Sequence, residues 1–276
     1  MSALSFDYDR YRIKPGEPFR LADRATSDTQ GLTDKDAAKE HLKANRDRLR
    51  DLQEQLYAES KQSLLIVLQA MDTGGKDSTI RAVTKGINPQ GVRVPSFKKP
   101  TDLEQRHDFL WRVHLRVPPA GMITIFNRSH YEDVLVVRVH GLVPPARLEK
   151  RYEHINNFER LLADRGTRIV KIMLHISKDY QLERLRRRLH YPEKHWKFNP
   201  GDLAERKLWD VYMESYEIAL QRCSTAYAPW YVIPAEERWF RNLVISQLLL
   251  DTLEDMNPQF PPPSFDPKDY PPESLD

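Results

Sequence analysis

Gly74, Gly75 and Lys76 follow the apolar run Ser63-Leu-Leu-Ile-Val-Leu68, inside the segment Gln69-Ala-Met-Asp-Thr-Gly-Gly-Lys-Asp-Ser-Thr-Ile-Arg81. That order of residue types suits phosphate binding. Glycines let backbone N–H groups face an anion, a lysine reaches the outer phosphates, and the dipole of a helix N-terminus favours negative charge. Against the pattern G-x-x-x-x-G-K-[ST], Ala70 stands where the first glycine belongs and Asp77 where the metal-binding hydroxyl belongs. Ser78 and Thr79 follow one step later, and Thr73 and Arg81 complete the candidate phosphate-binding set. The plain alternative is a glycine turn carrying an exposed lysine. Ile80, Val83 and Thr84 continue at helical spacing until Gly86 and Pro89, which favours a strand, a loop and a helix start.

A second cluster, Asn127-Arg-Ser-His-Tyr-Glu-Asp133, follows the apolar stretch 122–126. In open α/β sheets ligands lie beyond the carboxyl ends of the strands, so these groups are expected to face the same crevice as the glycine loop. Asp72, with Glu132 or Asp133, offers the hard oxygen atoms that Mg²⁺ takes together with phosphate oxygens and water. A capped helix start explains the same residues without function. The third cluster is basic: Arg184, Arg186, Arg187 and Arg188, then Lys194-His-Trp-Lys197. Broken by Pro192 and offset only in part by Glu183 and Glu193, it suits a flap closing over an anion; the alternative is a solvated face. Lys98, Lys99 and Arg112 add positive charge with less specificity. The histidines show no metal-ligand spacing.

Positioning these clusters requires alternating strands and helices. Strands are expected at 92–94, 122–126, 168–174 and 230–233 besides the first run, and helices at 102–116, 131–139, 148–164, 178–189, 200–223 and 237–255. Such alternation predicts an α/β fold, a parallel sheet with helices on both faces. A further helix is expected from Thr33, with Asp36 as its capping-box partner, to Glu59. Its seam of Leu42, Asn45, Leu49, Leu52 and Leu56 packs on its own domain in one reading and on a second subunit in the other. Residues 1–31 read as an irregular arm over the core, and the proline-rich 258–272 as an extended tail.

Composition narrows the function classes. The 276 residues carry 43 Lys and Arg against 40 Asp and Glu, a net charge of +3 that gives poor support for nucleic-acid binding. A lone cysteine, Cys223, excludes an internal disulfide and a cysteine zinc site. With no signal-peptide core and no apolar run of membrane-spanning length, the expected compartment is the cytoplasm, away from membranes.

Taken together, Ala70-Met-Asp-Thr-Gly-Gly-Lys-Asp-Ser-Thr79, Phe126-Asn-Arg-Ser-His-Tyr-Glu-Asp133 and Arg188-Leu-His-Tyr-Pro-Glu-Lys-His-Trp-Lys-Phe198 closely resemble the polyphosphate kinase 2 family. Also similar are Pro100-Thr101, Phe109-Leu-Trp-Arg-Val-His114 and Tyr227-Ala-Pro-Trp-Tyr-Val-Ile-Pro234. The resemblance implies a P-loop kinase core at 32–257 with a helical, basic lid at about 178–205, between an arm (1–31) and a tail (258–276). It implies action on inorganic polyphosphate and an adenine or guanine nucleotide, with Mg²⁺ or Mn²⁺, in a homo-oligomer. By position, Asp72 and Lys76 match the acid and lysine of the phosphate loop, Arg128 the arginine of the second motif, and Arg188, Lys194 and Lys197 the lid. Asn127, Arg128, Glu132 and Asp133 are the implied nucleotide contacts, with Asp72 and Glu132 as metal ligands. Many members have Asp where this chain has Asn127 and Asn where it has Glu132. The displaced acid resembles the subgroup that phosphorylates both AMP and ADP. A conventional ATP-consuming P-loop kinase and a non-catalytic polyanion-binding module are the alternatives.

Overall fold

The computed structural model describes residues 6–271. Five parallel strands form one sheet in the order β2-β3-β1-β4-β5: β1 (Ser63–Ala70), β2 (Val92–Arg93), β3 (Ile123–Asn127), β4 (Thr167–His175) and β5 (Trp230–Pro234). Every residue of β1 is buried, as a strand covered on both faces must be. The first of the two faces, lined by Leu64, Ile66, Ile123 and Ile125, lies under α1 (Lys35–Glu59), α2 (Lys76–Val83) and α10 (Arg238–Met256). On the other face, Val67, Lys171 and Trp230 are register neighbours. They lie under α6 (Pro145–Asp164) and α9 (Trp209–Cys223), through Glu159 and Cys223.

The seam of α1 packs within the chain. Leu42, Asn45, Leu49, Leu52 and Leu56 are buried, and Asn45 donates to Ser246 of α10 at 3.0 Å, so the intradomain reading of this helix holds. Its start differs from expectation. Asp34 is the N-cap and accepts from the N–H groups of Asp36 and Ala37, because a carboxylate one residue closer satisfies two orphan donors that Thr33 would share.

Three expected helices are interrupted. Between α3 (Asp102–Gln105) and α4 (Trp111–His114) the chain turns where Asp108 accepts from the N–H of Leu110. Residues 131–139 divide into a 3₁₀ turn, His130–Asp133, and the short α5 (Val136–Val139). At Leu208 the long segment splits into α8 (Gly201–Lys207) and α9. Before them, α7 (Lys178–His190) and the 3₁₀ turn Pro192–Lys197 complete a helix–turn–helix over the sheet's carboxyl end.

The arm is ordered where it meets the sheet: Val232 N–H donates to the Tyr11 carbonyl (2.8 Å) and Ile13 N–H to that of Trp230 (2.9 Å), an antiparallel bridge along β5. The tail after Met256 forms no helix or strand among the described residues beyond a 3₁₀ turn, Pro267–Asp269; Pro272, the end of the proline-rich stretch, lies outside them.

Behind β3 sits a fully buried charged network. Lys171 donates to Glu159 (2.5 Å), to the Tyr131 hydroxyl (2.8 Å) and to the Cys223 carbonyl (2.6 Å), while Glu159 also meets Tyr131 (2.8 Å) and His130 (3.1 Å). Burial alone would raise the Glu159 carboxyl, yet Lys171 and His130 outweigh it and hold it below the usual carboxylate range. Removing one member leaves a buried charge unpaired. Lys171→Met is therefore expected to lower stability in urea unfolding by about 3 kcal/mol or more. Adding Glu159→Leu should recover part of that loss; full additivity of the two losses would show that the pair does not act as a unit.

Candidate active site

The glycine loop joins β1 to α2 with two residues in left-handed backbone, Thr73 (φ 66°) and Gly75 (φ 99°). Gly74 is required by closeness: a Cβ there would stand 2.7 Å from that of Ala70, the residue in the first-glycine position. Lys76 begins α2 and donates to the Ala70 carbonyl at 2.9 Å, bending over the turn. Burial lowers its ammonium group and Arg128 presses in the same direction, against Asp72, Glu132 and Asp77.

The second motif leaves the adjacent strand β3 through Arg128, also left-handed (φ 62°). Two non-glycine residues in this conformation, one on each loop, mark the places where backbone strain is retained. Their motifs are cross-linked. Arg128 binds Asp72 at 2.8 Å and faces Glu132 at 3.7 Å, and Asn127 donates to Asp77 at 2.7 Å. Burial works against the Arg128 charge, but Glu132 and Asp72 outweigh it and hold the guanidinium above its usual value.

These loops and the basic segment from α7 to α8 enclose a cleft of ≈ 420 Å³. Asp72, Thr73, Gly75, Lys76, Asp77 and Ser78 line one wall; Asn127 and Arg128 line the floor; Arg184, Arg187, Arg188, Lys194, Lys197 and Asp202 close the far wall. Seven cationic side chains face three carboxylates there, and no aromatic or aliphatic side chain takes part. Arg188 is fixed by Asp202 and the Lys197 carbonyl, each at 2.9 Å, which ties the end of α7 to the start of α8 across the intervening 3₁₀ turn.

Other expected residues fall outside this lining. Gly74 forms the turn beneath it, Thr79 is buried under the loop, and Arg81 is exposed on α2. Glu132 lies behind Arg128, in a smaller recess with Tyr212 and Tyr216, where burial raises its carboxyl against the pull of Arg128 and Lys76. Asp133 turns the opposite way and is shared by Arg112 (3.3 Å) and Arg151 (3.6 Å). Among the described residues no three acids, histidines or cysteines converge as an all-protein metal cage.

The model of the polyphosphate kinase 2 family matches residues 32–261. The chain belongs to the polyphosphate kinase 2 family. An AMP/ADP-polyphosphate phosphotransferase of Meiothermus ruber is 55% identical over 255 residues, which cover 92% of this chain and 96% of that one. An ADP-polyphosphate phosphotransferase of Rhodopseudomonas palustris is 42% identical over 264 residues, 91% of each chain. The crystal structure of polyphosphate kinase 2 from Arthrobacter aurescens TC1 superposes with a TM-score of 0.89 at 48% identity, covering 93% of this chain and 92% of that one.

In this polyphosphate kinase 2 member, sequence reasoning missed Ser96, Asn199 and Asp202 in the cleft and, behind it, Arg241. Arg241 is 2% exposed, donates to Ser78 Oγ at 3.1 Å, and occupies the space that a side chain at Gly75 would need. Its other side-chain partner is Asn242, and the cations Arg238 and Arg184 act against its charge. Burial, reinforced by those cations, pushes its guanidinium down to about 10. An arginine that follows Trp239-Phe240 and precedes the apolar run from Leu243, in phase with the buried face of α10, was the available signal. Arg241→Met is expected to reduce kcat/KM for the phosphate donor about 10- to 100-fold, the scale for a group that supports primary ligands. The KM for the acceptor should change far less. A lowered thermal midpoint with unchanged donor kinetics would make Arg241 a core residue only.

Proposed function

We propose that this protein transfers the terminal phosphoryl group of inorganic polyphosphate to AMP and to ADP, forming ADP and ATP. The observation that carries the choice of donor is the lining of the cleft. A nucleoside triphosphate donor needs an apolar or aromatic surface for its base, as small-molecule sites generally provide. This cleft offers cations, amides and hydroxyls instead, which suit a chain of phosphates. The buried Thr73 hydroxyl, unpartnered among the described residues, is a further donor for a phosphate oxygen. The Meiothermus ruber relative is named for AMP and ADP with polyphosphate, and the Rhodopseudomonas palustris relative for ADP with polyphosphate.

In the reaction, an oxygen of the acceptor's terminal phosphate attacks the terminal phosphorus of polyphosphate in line. The bond to the bridging oxygen breaks, and the shortened polyphosphate leaves with its electron pair. The attacking group is already largely ionised, since a phosphate monoester has a second pKa of about 6, so no strong base is required. The chain's task is alignment and charge neutralisation. Lys76 and the loop amides hold the donor end, Arg128 lies between the two loops, and Arg184, Arg188, Lys194 and Lys197 hold the following units.

Mg²⁺, or Mn²⁺ in its place, is the metal this reading calls for. Asp72 in the cleft and Glu132 behind Arg128 are hard oxygen donors, few enough to leave the ion its waters and phosphate oxygens, which fits Mg²⁺. Bound there, it would neutralise charge on the transferring group. Guanine nucleotides as further acceptors, a homo-oligomeric assembly and a cytoplasmic setting belong to the same proposal; no helix among the described residues is long and apolar enough to cross a membrane.

Incubation with Mg²⁺, ADP and long-chain polyphosphate is expected to yield ATP, and Lys76→Ala to reduce turnover by roughly two to three orders of magnitude with the fold retained by circular dichroism. More than half of the activity surviving in that variant would overturn the loop's role. For acceptor choice, Asn127→Asp combined with Glu132→Asn should depress kcat/KM for AMP more than for ADP. Equal losses for the two acceptors, measured at several Mg²⁺ concentrations, would remove this pair from the account of specificity.

A further inference from the structure

A groove of ≈ 720 Å³ lies away from the reactive cleft, between α6 and the turn joining α3 to α4. Arg147, Lys150, Arg151 and His154 recur at helical spacing along the α6 side, above a floor that includes Phe109 and Phe158. The only carboxylate in the lining is Asp108, whose Oδ1 already accepts from the Leu110 N–H. Glu149 of the same helix is turned elsewhere, toward Arg138 and Arg222. Arg147 and Lys150 are exposed, and their positive charges are left without an ion pair among the described residues. Arg147 also presses on the like charge of Arg151 four residues on, against the pull of Asp133 on that guanidinium.

The groove is continuous with the reactive cleft along the chain. Ser96 lines the cleft, Lys98 and Lys99 follow as exposed cations, and Gln105 and His107 line the groove. The two sites are also linked through the 3₁₀ turn His130–Asp133, behind the cleft. Glu132 faces Arg128, while the next residue, Asp133, is held by Arg151, which bonds its carbonyl at 2.8 Å. Arg112 stiffens that link by donating to the Lys98 carbonyl at 2.8 Å and to Asp133.

From this arrangement we infer that the α6 groove is a second polyphosphate-binding site, which takes the part of a long chain that extends beyond the reactive cleft along Lys98 and Lys99. It rests on the reading of polyphosphate as donor. A chain anchored at the groove presents its end to the cleft at high effective concentration, so affinity rises with chain length without any new contact at the reacting phosphorus. Tripolyphosphate occupies the cleft alone and gains nothing.

The test is Arg147→Glu combined with Lys150→Glu, both exposed and outside the reactive cleft. KM for long-chain polyphosphate is expected to rise several-fold, up to about tenfold for two lost charge contacts. Its dependence on salt should flatten, while tripolyphosphate-driven turnover and the KM for AMP stay as in the wild type. Arg147→Gln with Lys150→Gln should give a smaller shift of the same kind. Equal losses with long and short donors, or no loss with either, would overturn the inference. So would a changed sedimentation coefficient with unchanged long-chain affinity, which would assign the groove to a subunit contact. Direct binding of fluorescently labelled long-chain polyphosphate separates this inference from the proposed reaction. If the wild type forms no ATP yet binds the chain, and the charge reversal weakens that binding, the groove stands and the kinase reading falls.

Discussion

A lysine and a glutamate with no access to water, Lys171 and Glu159, hold the reactive end of this molecule in place. Their ion pair joins the middle of β4 to α6, and through Tyr131 and His130 it grips the 3₁₀ turn that follows Arg128. A buried pair of this kind contributes little net stability compared with an apolar pair of the same volume. Its value is geometric, because its partners lose far more when any one of them moves. Arg128 precedes that gripped turn and Glu132 lies within it, so the guanidinium that bridges the two loops starts from a fixed base.

From there the electrostatics run outward in one sign. Carboxylates are few and individually committed: Asp72 to Arg128, Asp202 to Arg188, Asp133 to Arg112 and Arg151. Cations exceed them in the cleft, beneath the loop at Arg241 and along α6. A protein with a net charge of only +3 thus concentrates positive potential along one route, where low-dielectric walls focus the field on a polyanion.

Sequence patterns disclosed much of this arrangement. The buried strand before Gly74, the alternation of strands and helices and the seam of α1 were legible because burial on both faces of a sheet leaves a strong periodic trace. Of the chemically active groups, those in short motifs converge as the parallel sheet requires. The interruptions at Asp108 and Leu208 were hidden, since local side-chain-to-backbone bonds and short-range packing end a helix without a proline or glycine to announce it. Thr33 yielded to Asp34 for the same local reason. Arg241 was missed because its partner Ser78 lies 163 residues away. The opposite facing of Glu132 and Asp133 follows from the twist of a 3₁₀ turn, which adjacent acids in a sequence do not reveal.

The strand-like arm along β5 has a consequence for how copies of this chain can meet. Tyr11 and Ile13 occupy the hydrogen-bonding positions of that edge, and the opposite edge is a strand of only two residues with Pro95 two residues beyond it. A sheet with both rims closed in this way gives another polypeptide no template for edge-to-edge annealing. Among the described residues the two rims of the sheet are thereby shielded from cross-β pairing, which leaves helical and loop surfaces for contact between copies.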